Sequence, residues 1–302
     1  MLNSREWVYY KLYVGQRHDV LDYVIVDILN KIDSLLLNHP WFYLRYIDEN
    51  GTHLRLRIQL PVGQKSLDTE IFSLLHDGMT EVDTAPYNTY EPLISITGHS
   101  EPLHTGPQFS AFCIKDDYVP EYDKYGGEEG IAIAERVFSQ SSILARKIIK
   151  HERQGDLNRK DLVLPLFLTG LQVFIKPENR QVFLTRYATF WLSGNPAIGS
   201  LKMAFAEQAY NLLDAGEELV PGLSSLSVTE QHLIQTWREH LAQGRDDYIK
   251  KAGQFPKDIL ELIAFHFIHL MNNRLGFNTL EEAYIATLLA TAEESGYHYE
   301  LA

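Results

Sequence analysis

The stretch Tyr118-Val-Pro-Glu121-Tyr-Asp-Lys124-Tyr125-Gly126-Gly127 divides this chain into two kinds of sequence. Before it the apolar residues mostly alternate or cluster as in strands; after it they recur at helical spacing. The stretch itself brings a carboxylate, a cation, a phenol and two glycines together at the start of a helix. Paired glycines permit positive φ and close backbone approach. The amides of the helix that follows favour a negative group. In isolation the ordinary explanation, a turn with a surface salt bridge, is favoured.

Working outward toward the N-terminus, residues 6–14 (Glu-Trp-Val-Tyr-Tyr-Lys-Leu-Tyr-Val) are rich in strand formers. Residues 18–37 set Val20, Leu21, Val24, Ile25, Ile28, Leu29 and Ile32 on one helical face. Residues 41–47 and 53–60 read as a hairpin across Asp48-Glu-Asn50-Gly51-Thr52. A short helix is expected over 66–78, with strand character near 91–98 and 108–118. Toward the C-terminus, helices are expected near 128–151, 158–174, 179–193, 198–214, 227–243, 256–275 and 279–294. Pro165 should kink or break the second of these. The pattern implies an α+β fold: an N-terminal mainly antiparallel sheet with flanking helices, then a mostly helical C-terminal half.

The composition, 45% apolar and 22% charged, is that of a soluble globular protein. A net charge of −13 argues against a broad nucleic-acid surface. It leaves room for a local basic pocket that takes a small anionic group. The N-terminus lacks the pattern of a secretory signal and no apolar run is long enough to cross a membrane. The single cysteine, Cys113, excludes an intramolecular disulfide and suits a reducing, cytoplasmic setting. No phosphate-binding loop, dinucleotide fingerprint or Gly-x-Ser-x-Gly elbow occurs, so neither a nucleotide cofactor nor a flavin is expected.

Two further clusters stand out. In His53-Leu-Arg55-Leu-Arg57-Ile-Gln59-Leu60 the alternation puts His53, Arg55, Arg57 and Gln59 on one strand face. Such a face is either an ordinary solvated one or an anion-binding surface, since guanidinium groups pair bidentately with carboxylates. Arg45 joins it or not according to the hairpin register. A two-residue Asn50-Gly51 turn sets Tyr46 opposite Arg55, and a three-residue loop brings Arg45 alongside Arg55 or Arg57. In the apolar helix near 256–275, His266, His269 and Asn273 form a polar stripe at offsets of three and four. A lone core histidine is usually structural; a stripe more plausibly borders a cleft where imidazole transfers protons. His266-Phe-Ile-His269 lacks the glutamate and spacing of a zinc protease site, so no metal is expected.

These motifs occur in a definite order: Trp7…Tyr9-Tyr10-Lys11-Leu12-Tyr13, Trp41-Phe42…Arg45-Tyr46…His53-Leu-Arg55-Leu-Arg57, and the Glu121-x-x-Lys124-Tyr125-Gly126-Gly127 string. Glu135…Phe138…Ser142 and His269…Asn273-Arg274, with Glu281-Glu282 beyond, follow. Together they resemble the elimination domain of class I lantibiotic dehydratases and the stand-alone thiopeptide-type bacteriocin biosynthesis proteins. The resemblance spans nearly the whole chain and implies a single elimination-type domain over 1–302, with a sheet-rich part (1–127) and a helical part (128–302).

It also implies chemistry on a ribosomally made precursor peptide, leader plus core. A separate protein would first esterify Ser or Thr with glutamate from glutamyl-tRNA; this chain would expel the glutamate, leaving a dehydroamino acid, with no tRNA of its own. His269, Arg55, Arg57, Glu121 and Lys124 are the expected catalytic groups. Arg45, His53, Tyr125, Asn273 and Arg274 are the expected substrate-binding groups. The alternatives are a [4+2] pyridine-forming cyclase acting on dehydroalanines and a non-catalytic module binding leader peptide or partner. A homodimer is compatible with either. Lys124 stands where the family usually has arginine, and Ser141 where it usually has aspartate.

Overall fold

A computed structural model describes residues 5–82, 93, 110–215, 225–251, 253 and 255–296. The chain forms two compact units. The first comprises Met1–Glu121 with Phe138–Arg153, the second Tyr122–Val137 with Gln154–Ala302. The change in sequence character at 127/128 is therefore not the unit boundary, because residues 138–153 return to the first unit.

The first unit is built on a four-stranded antiparallel sheet in the order β2-β3-β1-β4. Its strands are β1 (Arg5–Gly15), β2 (Trp41–Asp48), β3 (Gly51–Pro61) and β4 (Phe112–Asp116). The β2–β3 turn is Glu49-Asn50, because Asp48 pairs with Gly51. That register sets Tyr46 opposite His53 and Arg45 opposite Leu54. Arg45 is thereby on the opposite face from Arg55 and Arg57, where it pairs with Asp22 at 2.5 Å. The expected strand near 91–98 lies outside the described residues, apart from Leu93.

The apolar face, Tyr10, Leu12, Tyr43, Leu54, Leu56 and Ile58, is buried. The long helix expected over 18–37 is instead a chain of short pieces: a 3-10 turn at His18–Val20, α1 (Leu21–Tyr23), a π-helical stretch at Val24–Ile28 and α2 (Asp33–Leu36). The expected apolar face, Val20 through Ile32, is nevertheless buried. Arg146 accompanies the irregularity: it donates to the carbonyls of Ile25 (2.8 Å) and Val26 (3.2 Å) and pairs with Asp33. A π-helical stretch displaces backbone groups from their usual partners, and a guanidinium is suited to satisfy them. Helix α3 (Lys65–Met79) completes this side.

Edge strand β2 is covered. The amides of Trp41 and Tyr43 donate to the hydroxyls of Ser139 (3.4 Å) and Ser142 (3.1 Å), so its outward backbone is not left open for another strand.

The second unit is helical. After the short α4 (Tyr122–Tyr125) come α5 (Gly127–Gln154), whose first turns belong here, then α6 (Arg159–Phe174), α7 (Arg180–Leu192), α8 (Ile198–Asp214), α9 (Val228–Lys250), α10 (Ile259–Leu275) and α11 (Thr279–Glu294). Helix α6 runs unbroken through Pro165. Helix α11 packs on α7 and α8, while α6 packs on α9 and α10. Ser227 and Asn278 close capping boxes at the starts of α9 and α11.

Gly126 and Gly127 both have positive φ, 87° and 78°, which accounts for the paired glycines. The turn presses Tyr125 against the start of α5: a Cβ on Gly130 would lie 1.7 Å from the Tyr125 carbonyl oxygen. Tyr248 locks the arrangement by donating to Gly130 O (2.7 Å) and lying 3.2 Å from Tyr125 O. Gly130→Ala should therefore destabilise the protein by roughly 3 kcal/mol, since backbone atoms must move to admit the methyl group. Urea denaturation measures this, and a midpoint equal to that of the parent would refute it.

Candidate functional site

In the first unit the polar sheet face is a cationic surface set in aromatic rings. Register pairs Arg57 with Tyr9 on β1 and Phe42 on β2, and Arg55 with Lys11 and Leu44. The Arg57 guanidinium lies 4.5 Å from the Tyr9 ring centroid, 5.1 Å from Tyr118 and 5.3 Å from Phe42. Trp7 closes the cluster edge-on against Phe42 and Tyr118.

Arg57 is only 7% exposed, and its Nε and Nη1 are buried without a hydrogen-bond partner. Burial pulls its pKa below the usual arginine value, opposed chiefly by Tyr9 and Tyr118. Cation–π contacts offset part of the cost of burying the charge but leave those N–H groups unsatisfied. A carboxylate would satisfy them.

Arg55 is held differently. Its guanidinium carbon sits 3.2 Å over the Tyr46 ring, and Nε donates to His53 Nε2 at 3.4 Å. His53 is fully buried beside Tyr13 and Tyr46, and its Nδ1–H donates to the Gly51 carbonyl at 3.1 Å. Burial lowers its pKa, so the neutral ring accepts from Arg55. His53 thus supports an arginine and is enclosed. Lys11 pairs with Asp116 at 2.6 Å. Glu121 is exposed, and its charge reaches Arg57.

In the second unit the centre is a buried carboxylate. Glu282 of α11 has no exposed surface. Its Oε1 accepts from His269 Nδ1 on α10 at 2.9 Å. Its Oε2 accepts from the Tyr187 hydroxyl on α7 and from Asn272 Nδ2 at 3.3 Å. Trp191 lies against the His269 ring at 4.2 Å between centroids. The carboxylate fixes the tautomer with the proton on Nδ1 and leaves Nε2 as the acceptor, the arrangement of a general base with its orienting acid. The His269 side chain retains 21% exposure.

His266, one turn earlier, packs 5.5 Å from the Tyr125 ring. Burial, aided by Lys124 and His269, pushes its pKa down to about 3. Lys124 is half-buried on α4 and Tyr125 is buried. Asn273 is half-buried, whereas Arg274 is fully buried within the unit. No set of three or more His, Cys, Asp or Glu among the described residues is arranged to hold a metal ion.

The structure thus brings His53, Arg55 and Arg57 onto one face, with Arg45 on the other, and gathers Lys124, Tyr125, His266 and His269 in the second unit. Sequence reasoning did not assign roles to Tyr9, Phe42 and Tyr118 around Arg57, or to Glu282, Tyr187, Asn272 and Trp191 around His269. The adjacent Glu281-Glu282 in an otherwise apolar helix was the available signal for the buried carboxylate.

A two-part protein carrying an arginine-bearing antiparallel sheet and a helical His–Glu centre is the class these features define. The model of the family described as "Lantibiotic biosynthesis dehydratase C-term" matches residues 7–292, and the chain belongs to that family. The solved structure "Pyridine synthase, TbtD, from thiomuracin biosynthesis" is similar at a TM-score of 0.66 and 14% identity, covering 96% of this chain and 98% of that one. The tRNA-dependent lantibiotic dehydratase MibB from Microbispora sp. 107891 has a TM-score of 0.58 and 18% identity, covering 98% of this chain but 28% of that one. TsrL has a TM-score of 0.57 and 15% identity, covering 99% and 97%. No curated protein matches in sequence. At these identities the solved structures establish the likeness of fold. No helix among the described residues is long and apolar enough to cross a membrane.

A pH prediction follows from His266. Its folded pKa of about 3 lies below the ordinary 6.5, so the unfolded chain binds the proton more readily. The His266 contribution is complete above about pH 6.5 and is lost as pH falls toward 3. His266→Phe should flatten the acid side of the stability profile in urea titrations. An unchanged profile would show that the ring is not held neutral.

Proposed function

We propose that this protein modifies a ribosomally made precursor peptide as a lyase, eliminating glutamate from glutamylated Ser or Thr. The observation that carries the proposal is His269, held through Nδ1 by the buried Glu282 carboxylate with Nε2 left to accept a proton. Elimination requires a base at Cα. His269 Nε2 takes the α-proton, the C–H electrons become the Cα=Cβ bond, and the Cβ–O bond breaks to release glutamate as a carboxylate. Arg57, in the first unit, is suited to an anionic group, because its buried Nε and Nη1 have no acceptor. Arg55, ordered by Tyr46 and His53, adds positive charge to the same face.

The partners in this reading are the leader-bearing precursor peptide and a separate glutamylating protein, with no direct use of tRNA. Family membership supports work on such peptides. A second reading is favoured by one observation: the likeness to the pyridine synthase TbtD covers 98% of that chain. In that reading the substrate is a peptide bearing two dehydroalanines and the reaction is a [4+2] cycloaddition.

Mass spectrometry separates the readings when the protein is incubated with a synthetic glutamylated peptide and, in parallel, with a bis-dehydroalanine peptide. The lyase removes the glutamate mass from the first peptide and leaves the second unchanged. On the glutamylated peptide, His269→Ala should lower kcat/KM by about 10²-fold or more, the usual worth of a general base. Arg57→Ala should act mainly on KM if it binds the substrate ground state. Turnover of the second peptide alone would establish the cyclase. Leader binding without turnover of either peptide would mark a non-catalytic module.

A further inference from the structure

The hydrogen bonds around Glu282 are unequally divided between its two oxygens. Oε1 receives the His269 Nδ1–H, while Oε2 receives both the Tyr187 hydroxyl and the Asn272 amide. Tyr187 is fully buried and sits among Phe167, Phe183 and Phe265, at ring distances of 5.3, 6.0 and 4.6 Å. Packing therefore fixes the phenol in place, and its hydroxyl is committed to the carboxylate.

We propose that Tyr187 is a positioning residue which, by occupying Oε2, turns Oε1 toward His269 and tempers the carboxylate, so that the imidazole proton is held on Nδ1 and Nε2 is presented as the acceptor. The inference rests on the reading of His269 as the base.

The physical reasoning is direct. Each donor on a carboxylate disperses its negative charge. With one donor removed, Glu282 attracts the imidazolium more strongly, and the coupled pair binds its proton more tightly. Among the titratable groups that interact with the pair are His266 on α10 itself and Tyr187 on α7, and Lys124 on α4 acts on His266. Burial beside Glu282 raises the Tyr187 pKa well above the usual phenol range, so Tyr187 keeps its proton and remains a donor.

The test is an NMR titration of the histidine rings in the full chain, with the His269 signals assigned by their absence in His269→Gln. Tyr187→Phe, which removes only the hydroxyl, should raise the titration midpoint of His269 by roughly 0.5–1 pH unit. The acid limb of kcat/KM should move upward with it. Phe183→Leu, a packing change without a hydroxyl, should leave the midpoint in place. Substituting 3,5-difluorotyrosine at position 187 strengthens the donor and should move the midpoint down. A His269 titration that superimposes on the parent in both position-187 variants would overturn the proposal, as would an equal shift in Phe183→Leu. The ring titration is read without turnover, so failure of the lyase assay leaves this result separately legible.

Discussion

A carboxylate with no exposed surface must find hydrogen-bond donors inside the protein, because an unpaired buried charge costs several kcal/mol. Glu282 finds three, one from α7 and two from α10, and that demand organises the centre of the helical unit. Helix α11 is small and apolar along most of its length, with Ala283, Ala286, Leu289, Ala290 and Ala292 buried. It packs on α7 and α8, and Tyr187 of α7 meets the carboxylate. The polar network and the apolar packing therefore fix the same geometry. The outcome is an imidazole whose tautomer is set by the scaffold, which a surface histidine cannot achieve.

The sheet unit solves a different problem. Its hairpin register, Asp48 with Gly51, decides which arginines share a face. Moving the pairing by one residue would exchange the two faces of the strand, placing Arg55 and Arg57 where Leu54 and Leu56 now sit in the core. The buried apolar face opposes that slip, and so does the Arg45–Asp22 ion pair. Two neighbouring arginines then experience distinct surroundings. Arg55 is stacked on one ring and hydrogen-bonded to a neutral histidine, whereas Arg57 is enclosed by three rings with two nitrogens unspent. The second is the more expensive arrangement, since a buried N–H without an acceptor carries its full desolvation cost.

Much of the fold was legible in the sequence because it depends on periodicity. The alternation of His53 through Leu60 gave β3, and the spacing of apolar residues placed the long helices within a few residues of their positions, except for the end of α9, which runs on from the expected Gln243 to Lys250. The segment 18–37 shows where periodicity stops being sufficient. Its apolar face is right, yet the backbone breaks into 3-10, α and π pieces, and distant Arg146 supplies partners that no local pattern announces. Pro165 shows the reverse: a local breaker signal at a residue that lies inside helix α6 without breaking it. The site was legible only in part for the same reason. His269 stood out on an apolar helix, but Tyr187 lies far away in sequence, and its role is visible only once α7 meets α11. The Arg57 cage likewise draws Tyr9, Phe42 and Tyr118 from three separate segments.

The two departures from the resembled pattern fall at positions of unlike physical character. Lys124 replaces an arginine but keeps the positive charge, and that charge is among the influences holding His266 neutral. A lysine ammonium acts as a point charge as well as a guanidinium does, so this electrostatic role survives while bidentate carboxylate binding is lost. Ser141 replaces an aspartate at a buried position on α5, where its hydroxyl donates to the Phe138 carbonyl at 3.1 Å. An aspartate there would carry a buried negative charge in the unit that contains Arg57; the serine adds none. The first change therefore conserves charge at the helical centre, while the second removes it from the sheet unit.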